Sequence, residues 1–293
     1  MVDLMEPGLR LVRAGNASPM TGTGTNTWLL GEGPVAVIDP GPDDPRHLQA
    51  ILAAAPRGIS HILVTHPHVD HSALVPALAR ISGAPVLGFG AWDTGRSARM
   101  RAIADTGLAG GGEGVDRSFA PDIRLADGEI VEGAGFRLEA LHTPGHFAGH
   151  LAFREGGRLF SGDLVMGWAP SIISPPDGEL AAYLASLARL RALPLARLFP
   201  GHGDPVEDPA ARLDWLCDHR AARTRSLREA LETRPQSIPE LTRRIYRDTP
   251  AALLPAAERN VFAHLIDLVD KGHATATPSV GAGATYARLP PER

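Results

Sequence analysis

The stretch Thr65-His66-Pro67-His68-Val69-Asp70-His71 closes a β-rich run that starts at His61, and a helix is expected after it from about Ser72 to Ile81. Residues two apart in an extended chain point to the same side, so His66 and His68 can share one ion. The chain then turns, and Asp70 and His71 present a second pair of ligands to a neighbouring ion. A lone histidine on a strand is ordinarily a satisfied structural residue. Three histidines and an aspartate within six positions would instead be costly to desolvate without a partner, so the cluster reads as a metal site.

Three further pieces follow in order: Thr143-Pro144-Gly145-His146, Phe160-Ser161-Gly162-Asp163 and Phe199-Pro200-Gly201-His202-Gly203. Each has an apolar strand, a glycine that lets backbone come close, and one ligand-type side chain. Loops at one edge of a rigid scaffold deliver catalytic clusters in this way. Around them, runs at Thr27 to Leu30, Val35 to Ile38, Phe136 to Leu141, His150 to Arg154, Arg158 to Phe160 and Arg197 to Phe199 read as strands. Asp43 to Ala55 and Glu179 to Leu193 read as helices, so the chain is mixed α and β. Trp92 to Asp122, with glycines at 107, 110 to 112 and 114, is expected to be a surface insertion carrying a short helix around Arg96 to Ala104.

Beyond Pro209 the pattern turns helical, at Ala210 to Thr233, Ile238 to Arg247 and Pro255 to Asp270, before two β-like runs at Ala274 to Thr277 and Thr285 to Leu289. Three helices and a glycine-tipped hairpin resemble a winged helix, which gives two domains, 1–206 and 207–293. The last helix carries Val261, Phe262, Leu265, Ile266, Leu268 and Val269 on more than one face, and its acids outnumber its cations. That composition argues against duplex DNA and for docking, either on the first domain near the site mouth or on a second copy in a homodimer. Nine arginines between Arg212 and Arg247 form a solvated helix face or, alternatively, a nucleic-acid patch.

The 293 residues carry a net charge of −4 and a single cysteine, Cys217, so no internal disulfide forms and any metal must be held by His, Asp or Glu. No run of apolar residues is long enough to span a membrane and no signal segment is legible, so the expected compartment is the cytoplasm. Among the remaining histidines, His150 stands four after His146 and is a candidate for supporting a ligand. His47, His61, His219, His264 and His273 read as ordinary surface or satisfied residues, and Trp168 as a pocket wall or a buried loop aromatic.

The set His66-x-His68-x-Asp70-His71, His146, Asp163 and His202 resembles that of the metallo-β-lactamase superfamily, over roughly residues 20 to 205. The resemblance implies an α+β fold, an αββα sandwich with a dinuclear site at the sheet edges. It further implies that His66, His68 and His146 bind one ion, that Asp70, His71 and His202 bind the other, and that Asp163 bridges them. Two ions about 3.5 to 4 Å apart lower the pKa of a shared water toward neutrality, so the expected function is hydrolysis by a metal-bridging hydroxide that Asp70 also orients. Zinc suits these ligands, and manganese and iron are accepted by the same types.

Gly24-Thr25-Asn26-Thr27-Trp28, Asp39-Pro40-Gly41, Ser161 to Trp168, Pro175-Pro176-Asp177-Gly178 and the tail are similar to the β-lactamase-like protein 2 group. The chain departs from that group at Ala169-Pro170, where hydroxyl residues are usual. The closer resemblance implies a single-strand endoribonuclease. Ester, thioester and lactone hydrolysis fit the same ligands, so the expected partner is a small molecule or single-stranded RNA. A nucleic-acid-binding or assembly module with a structural metal is the alternative outside catalysis.

Overall fold

Alternation within Val35-Ala36-Val37-Ile38 divides one strand between two cores, because Ala36 and Ile38 face a second sheet while Val35 and Val37 face helices. Both faces are covered, so the run is apolar throughout rather than alternately polar. In the computed structural model, which describes residues 2–108 and 114–289, this strand lies mid-way in a seven-stranded sheet. The sheet runs β1 (Val2–Glu6), β2 (Leu9–Arg13), β3 (Asn26–Leu30), β4 (Val35–Ile38), β5 (Ile59–Leu63), β6 (Val86–Gly88) and β7 (Ile123–Arg124). The first four are antiparallel and the rest join in parallel.

A second sheet holds β8 (Ile130–Gly133), β9 (Phe136–His142), β10 (Leu151–Glu155), β11 (Arg158–Gly162) and β12 (Arg197–Pro200). Leu151 and Phe153 of β10 meet Trp28, Leu30 and Ile38 between the sheets, whereas Ala152 faces outward to helix. Helices α1 (Pro45–Ala54), α2 (Val69–Ser72) and α3 (Val75–Ser82) follow the first sheet's strands, and α1 and α3 pack on its outer face through Ile51 and Leu78. On the other side lie α5 (Leu180–Arg191) and the start of α6 (Pro209–Leu231), through Leu187, Leu213 and Leu216. The layers are therefore helix, sheet, sheet, helix. A short α4 (Ala98–Ala104) belongs to the insertion.

Three differences from the sequence reading have physical causes. Strands β1 and β2 precede the first expected one; Arg10 and Arg13 break up the apolar pattern of β2 while Leu9, Leu11 and Val12 are buried. The helix expected from Ser72 is two helices, with Pro76 in the first turn of α3, where a missing N–H is tolerated. The insertion is also more than a surface feature, because Met100 and Ile103 of α4 enter the core of the tail. Arg99 pairs with Asp270 across the same contact. Gly110 to Gly112 lie outside the described residues.

The tail comprises α7 (Ile238–Ile245), α8 (Leu254–Asp270) and a sheet in the order β13 (Gln236–Ser237), β15 (Thr285–Arg288), β14 (Ala274–Thr277). The surplus apolar faces of α8 are covered within the chain: Val261, Phe262, Leu265 and Ile266 close the tail core with α4, and Ala263 packs in the core shared by α5 and α6. Nor do all the arginines face water, since Arg212 donates to the Met166 and Ala169 carbonyls and Arg220 is fully buried. Among the described residues no helix is long and apolar enough to cross a membrane.

Candidate metal centre

Strand β5 ends at Leu63, and the next backbone groups turn toward Asp39, whose Oδ1 accepts the Thr65 N–H at 2.7 Å. Pro67 and the short α2 then place His66, His68, Asp70 and His71 around one point, all buried. His68 Nδ1 lies 2.9 Å from His66 Nε2 and 3.1 Å from His146 Nε2. Three imidazole nitrogens so disposed fit one ion with bonds of about 2.0 to 2.1 Å. Asp70, His71 and His202 form a second group, with His202 Nε2 3.2 Å from Asp70 Oδ2 and 3.3 Å from His71 Nε2. Asp163 lies between the groups: its Oδ1 is 3.5 Å from His71 Nε2, and its Oδ2 is 3.3 Å from His202 Nε2 and 3.9 Å from His146 Nε2.

The fold thus brings all seven sequence-derived candidates together, and a metal pair fits what it makes. Asp163 Oδ1 is buried with no hydrogen-bond partner, a costly state for a carboxylate oxygen in a protein interior. The outward nitrogens are already occupied and fix the tautomers. His146 Nδ1 donates to the Ile172 carbonyl at 2.7 Å, and His71 Nδ1 donates to Asp39 Oδ2 at 3.0 Å. His66 Nδ1 meets Thr65 Oγ1, whose own proton goes to Asp39 Oδ2. Each of these rings therefore turns its Nε2 lone pair inward.

Asp39 is a supporting residue whose role sequence reading misses, although Asp39-Pro40-Gly41 is one of the stretches that carry the closer resemblance. It orients a histidine of each group, His71 directly and His66 through Thr65. It is also the one non-glycine residue with positive φ among those described, at 53°. The available signal is its form, an acid beside Pro-Gly at a strand end, like the three turns that carry His146, Asp163 and His202. Asn26 is missed too; its Nδ2 donates to the Pro200 and Gly203 carbonyls and holds the turn that bears His202.

His150 stacks on His66, with ring centroids 5.3 Å apart, and bonds Thr143 rather than a ligand. Trp168 is half-exposed and covers Gly22 and Gly203, so it is a wall and not a buried loop aromatic. His264, expected to be ordinary, is buried with Nδ1 on Thr224 Oγ1 and Nε2 unpartnered.

The model of the metallo-β-lactamase superfamily matches residues 20–202. The chain belongs to the metallo-β-lactamase superfamily. A beta-lactamase-associated winged-helix domain matches residues 237–282. A beta-lactamase-like protein 2 homolog of Drosophila melanogaster is 31% identical over 88% of this chain and 86% of its own. An atrochrysone carboxyl ACP thioesterase of Aspergillus fumigatus is 30% identical over 79% of this chain and 67% of its own. A metallo-β-lactamase family structure from Thermus thermophilus, 28% identical, superimposes with a TM-score of 0.79 over 97% of this chain and all of that one.

Two predictions concern the site of this metallo-β-lactamase-fold hydrolase. Burial opposes charge on His202, yet the Asp163 and Asp70 carboxylates outweigh it and raise the group to about 9. Burial lowers His68 to about 3, so its set is already unprotonated near neutrality. A cation binding between His202 and His71, which the Asp70, Asp163 and Asp39 carboxylates also raise, must displace protons, so affinity at that set should climb with pH through neutrality to about 9 and beyond while the His68 set stays nearly flat. Chelator-competition titrations across that range check this; two parallel, flat profiles would refute it.

Gly201 supplies the second, because a Cβ there would stand 2.5 Å from Asp163 Oδ1 and 2.7 Å from His71 Cε1. Gly201→Ala should leave circular dichroism native while cutting bound metal to one equivalent or less. Full metal content would count against the crowding argument.

Proposed function

We propose that the chain hydrolyses acyl thioesters, or closely related esters, whose acyl part is apolar. One observation carries this reading: a cavity of about 350 Å³ lined by Met20, Met166, Trp168, Pro170, Ile172 and Ala257. Its inner rim touches the ligands' own segments, since Trp168 covers Gly203 beside His202 and Ile172 holds His146. The apolar residues beside the ligands suit the hydrophobic acyl group of a carbonyl compound, and His219, Arg220 and Arg223, which also line the cavity, suit a polar or anionic part of the same molecule. The thioesterase relative of Aspergillus fumigatus supports the same choice.

Two divalent ions, zinc being the best match to the ligand chemistry, would supply Lewis acidity and lower the pKa of water in the site. The chain's residues hold and aim. His66, His68 and His146 would take one ion, Asp70, His71 and His202 the other, with Asp163 shared. The contacts of Asp70 to Thr25, His71 and His202 all use Oδ2, which leaves Oδ1 to orient a water by accepting its hydrogen bond. Burial would raise Asp70, but His71 and His202 hold it down at about 2, so it is ionised for that role.

The endoribonuclease reading has one observation in its favour. Trp215 is exposed, stacked on His219 and under the Arg212 guanidinium, a cation-flanked surface on which a base could lie. A hydrolysis screen over acyl thioesters, lactones and single-stranded RNA, repeated at about 50 and 200 mM salt, decides between them. Thioester turnover should dominate and change little with salt, whereas RNA cleavage resting on phosphate contacts would fall steeply. RNA cleavage without thioester turnover would overturn the proposal.

A further inference from the structure

Arg220 of α6 is 1% exposed, yet forms no ion pair among the described residues. A guanidinium stripped of water and left without a carboxylate is costly unless dipoles hold it in a fixed arrangement. Here they do. It lies over the Tyr183 ring at 5.2 Å, Nη1 donates to Asn260 Oδ1 at 3.1 Å, and Nη2 donates to the Ser171 carbonyl. Asn260, from α8, accepts the Ile173 N–H on the same Oδ1 at 3.0 Å. Two helices from beyond the first domain thus grip the backbone on either side of Ile172. Between those grips, the Ile172 carbonyl accepts from His146 Nδ1. A carbonyl cannot donate, so this contact keeps the proton on Nδ1 and the lone pair on Nε2, aimed at His66 and His68.

We propose that Arg220 and Asn260 are positioning residues: through the Ile172 carbonyl they set the tautomer and aim of His146, so α6 and α8 together organise one of the two ligand sets. The inference rests on that set holding a metal ion. Supporting groups behind a ligating histidine are commonly worth roughly 10- to 100-fold in metal affinity.

The test uses the full chain, stripped of metal and titrated with Zn²⁺ against a chromophoric chelator, with circular dichroism confirming the fold. Asn260→Ala should weaken one equivalent by about 10- to 100-fold and leave the other unchanged. Asn260→Asp, which keeps an acceptor for Ile173 and pairs with Arg220, should restore the affinity. A merely architectural Asn260 would lower the melting midpoint without touching the affinity of the folded protein, and that result overturns the proposal. If Asn260→Ala does not fold, Arg220→Lys, which keeps the charge but cannot reach both partners, takes its place; wild-type affinity there is equally fatal. His68→Ala serves as the control: two tight equivalents in that variant would refute the ligand set itself, whereas loss of one with Asn260→Ala unaffected refutes only the positioning role.

Discussion

His68→Ala is expected to lose one metal equivalent and to lower kcat/KM by roughly a thousandfold or more, and Asp163→Ala to lose both equivalents. A metal pair contributes several kcal/mol to the transition state, and each 1.36 kcal/mol is a factor of about ten in rate, so losing one ion reaches that scale. His68 is central to its set because Nδ1 sits about 3 Å from both partner nitrogens. Asp163 reaches His71, His202 and His146 together, so its removal frees both groups and leaves buried histidines facing one another. The double variant should be little worse than Asp163→Ala, since groups that act as a unit are not additive. Metal analysis and hydrolysis of the best substrate measure this. Full metal and full activity in either single variant would remove the site assignment.

Removing residues 207 to 293 is expected to yield an insoluble or inactive first domain, although all seven ligands remain in the shortened chain. Leu213 and Leu216 of α6 and Ala263 of α8 complete the core over the second sheet, and the tail also covers Met100 and Ile103. Each large apolar side chain uncovered or lost costs about 1.5 to 3 kcal/mol, and a domain's whole margin is about 5 to 15. The Ser171 carbonyl and the Ile173 N–H would lose their partners as well. Expression of residues 1–206, followed by sedimentation and assay, checks the expectation. A monomeric, soluble and fully active fragment would show the tail to be an independent appendage.

The candidate ligands were legible because their signal is local. Period-two spacing puts His66 and His68 on one side, and strand-glycine-ligand turns mark His146, Asp163 and His202 without knowledge of how the turns meet. The sandwich was legible for a similar reason: runs such as Val35 to Ile38 and Leu151 to Phe153 are apolar on both faces, which implies layers above and below. The tail's winged-helix pattern followed from helical spacing and a glycine-tipped hairpin. Strand β2 was not legible, since its arginines hide its alternation.

By itself, then, the sequence determined which side chains are candidates for binding and which faces are buried, because both follow from spacings of a few residues. Only the tertiary structure decided which way those side chains point and what covers the surplus apolar surface. Asp39 reaches Thr65 and His71 across 26 and 32 residues, and Asn260 reaches Ile173 across 87. No local periodicity encodes such distances. They are set when the two sheets close on their shared core and α8 docks beside α5, burying backbone groups whose need for partners then selects Asp39, Asn260 and Arg220.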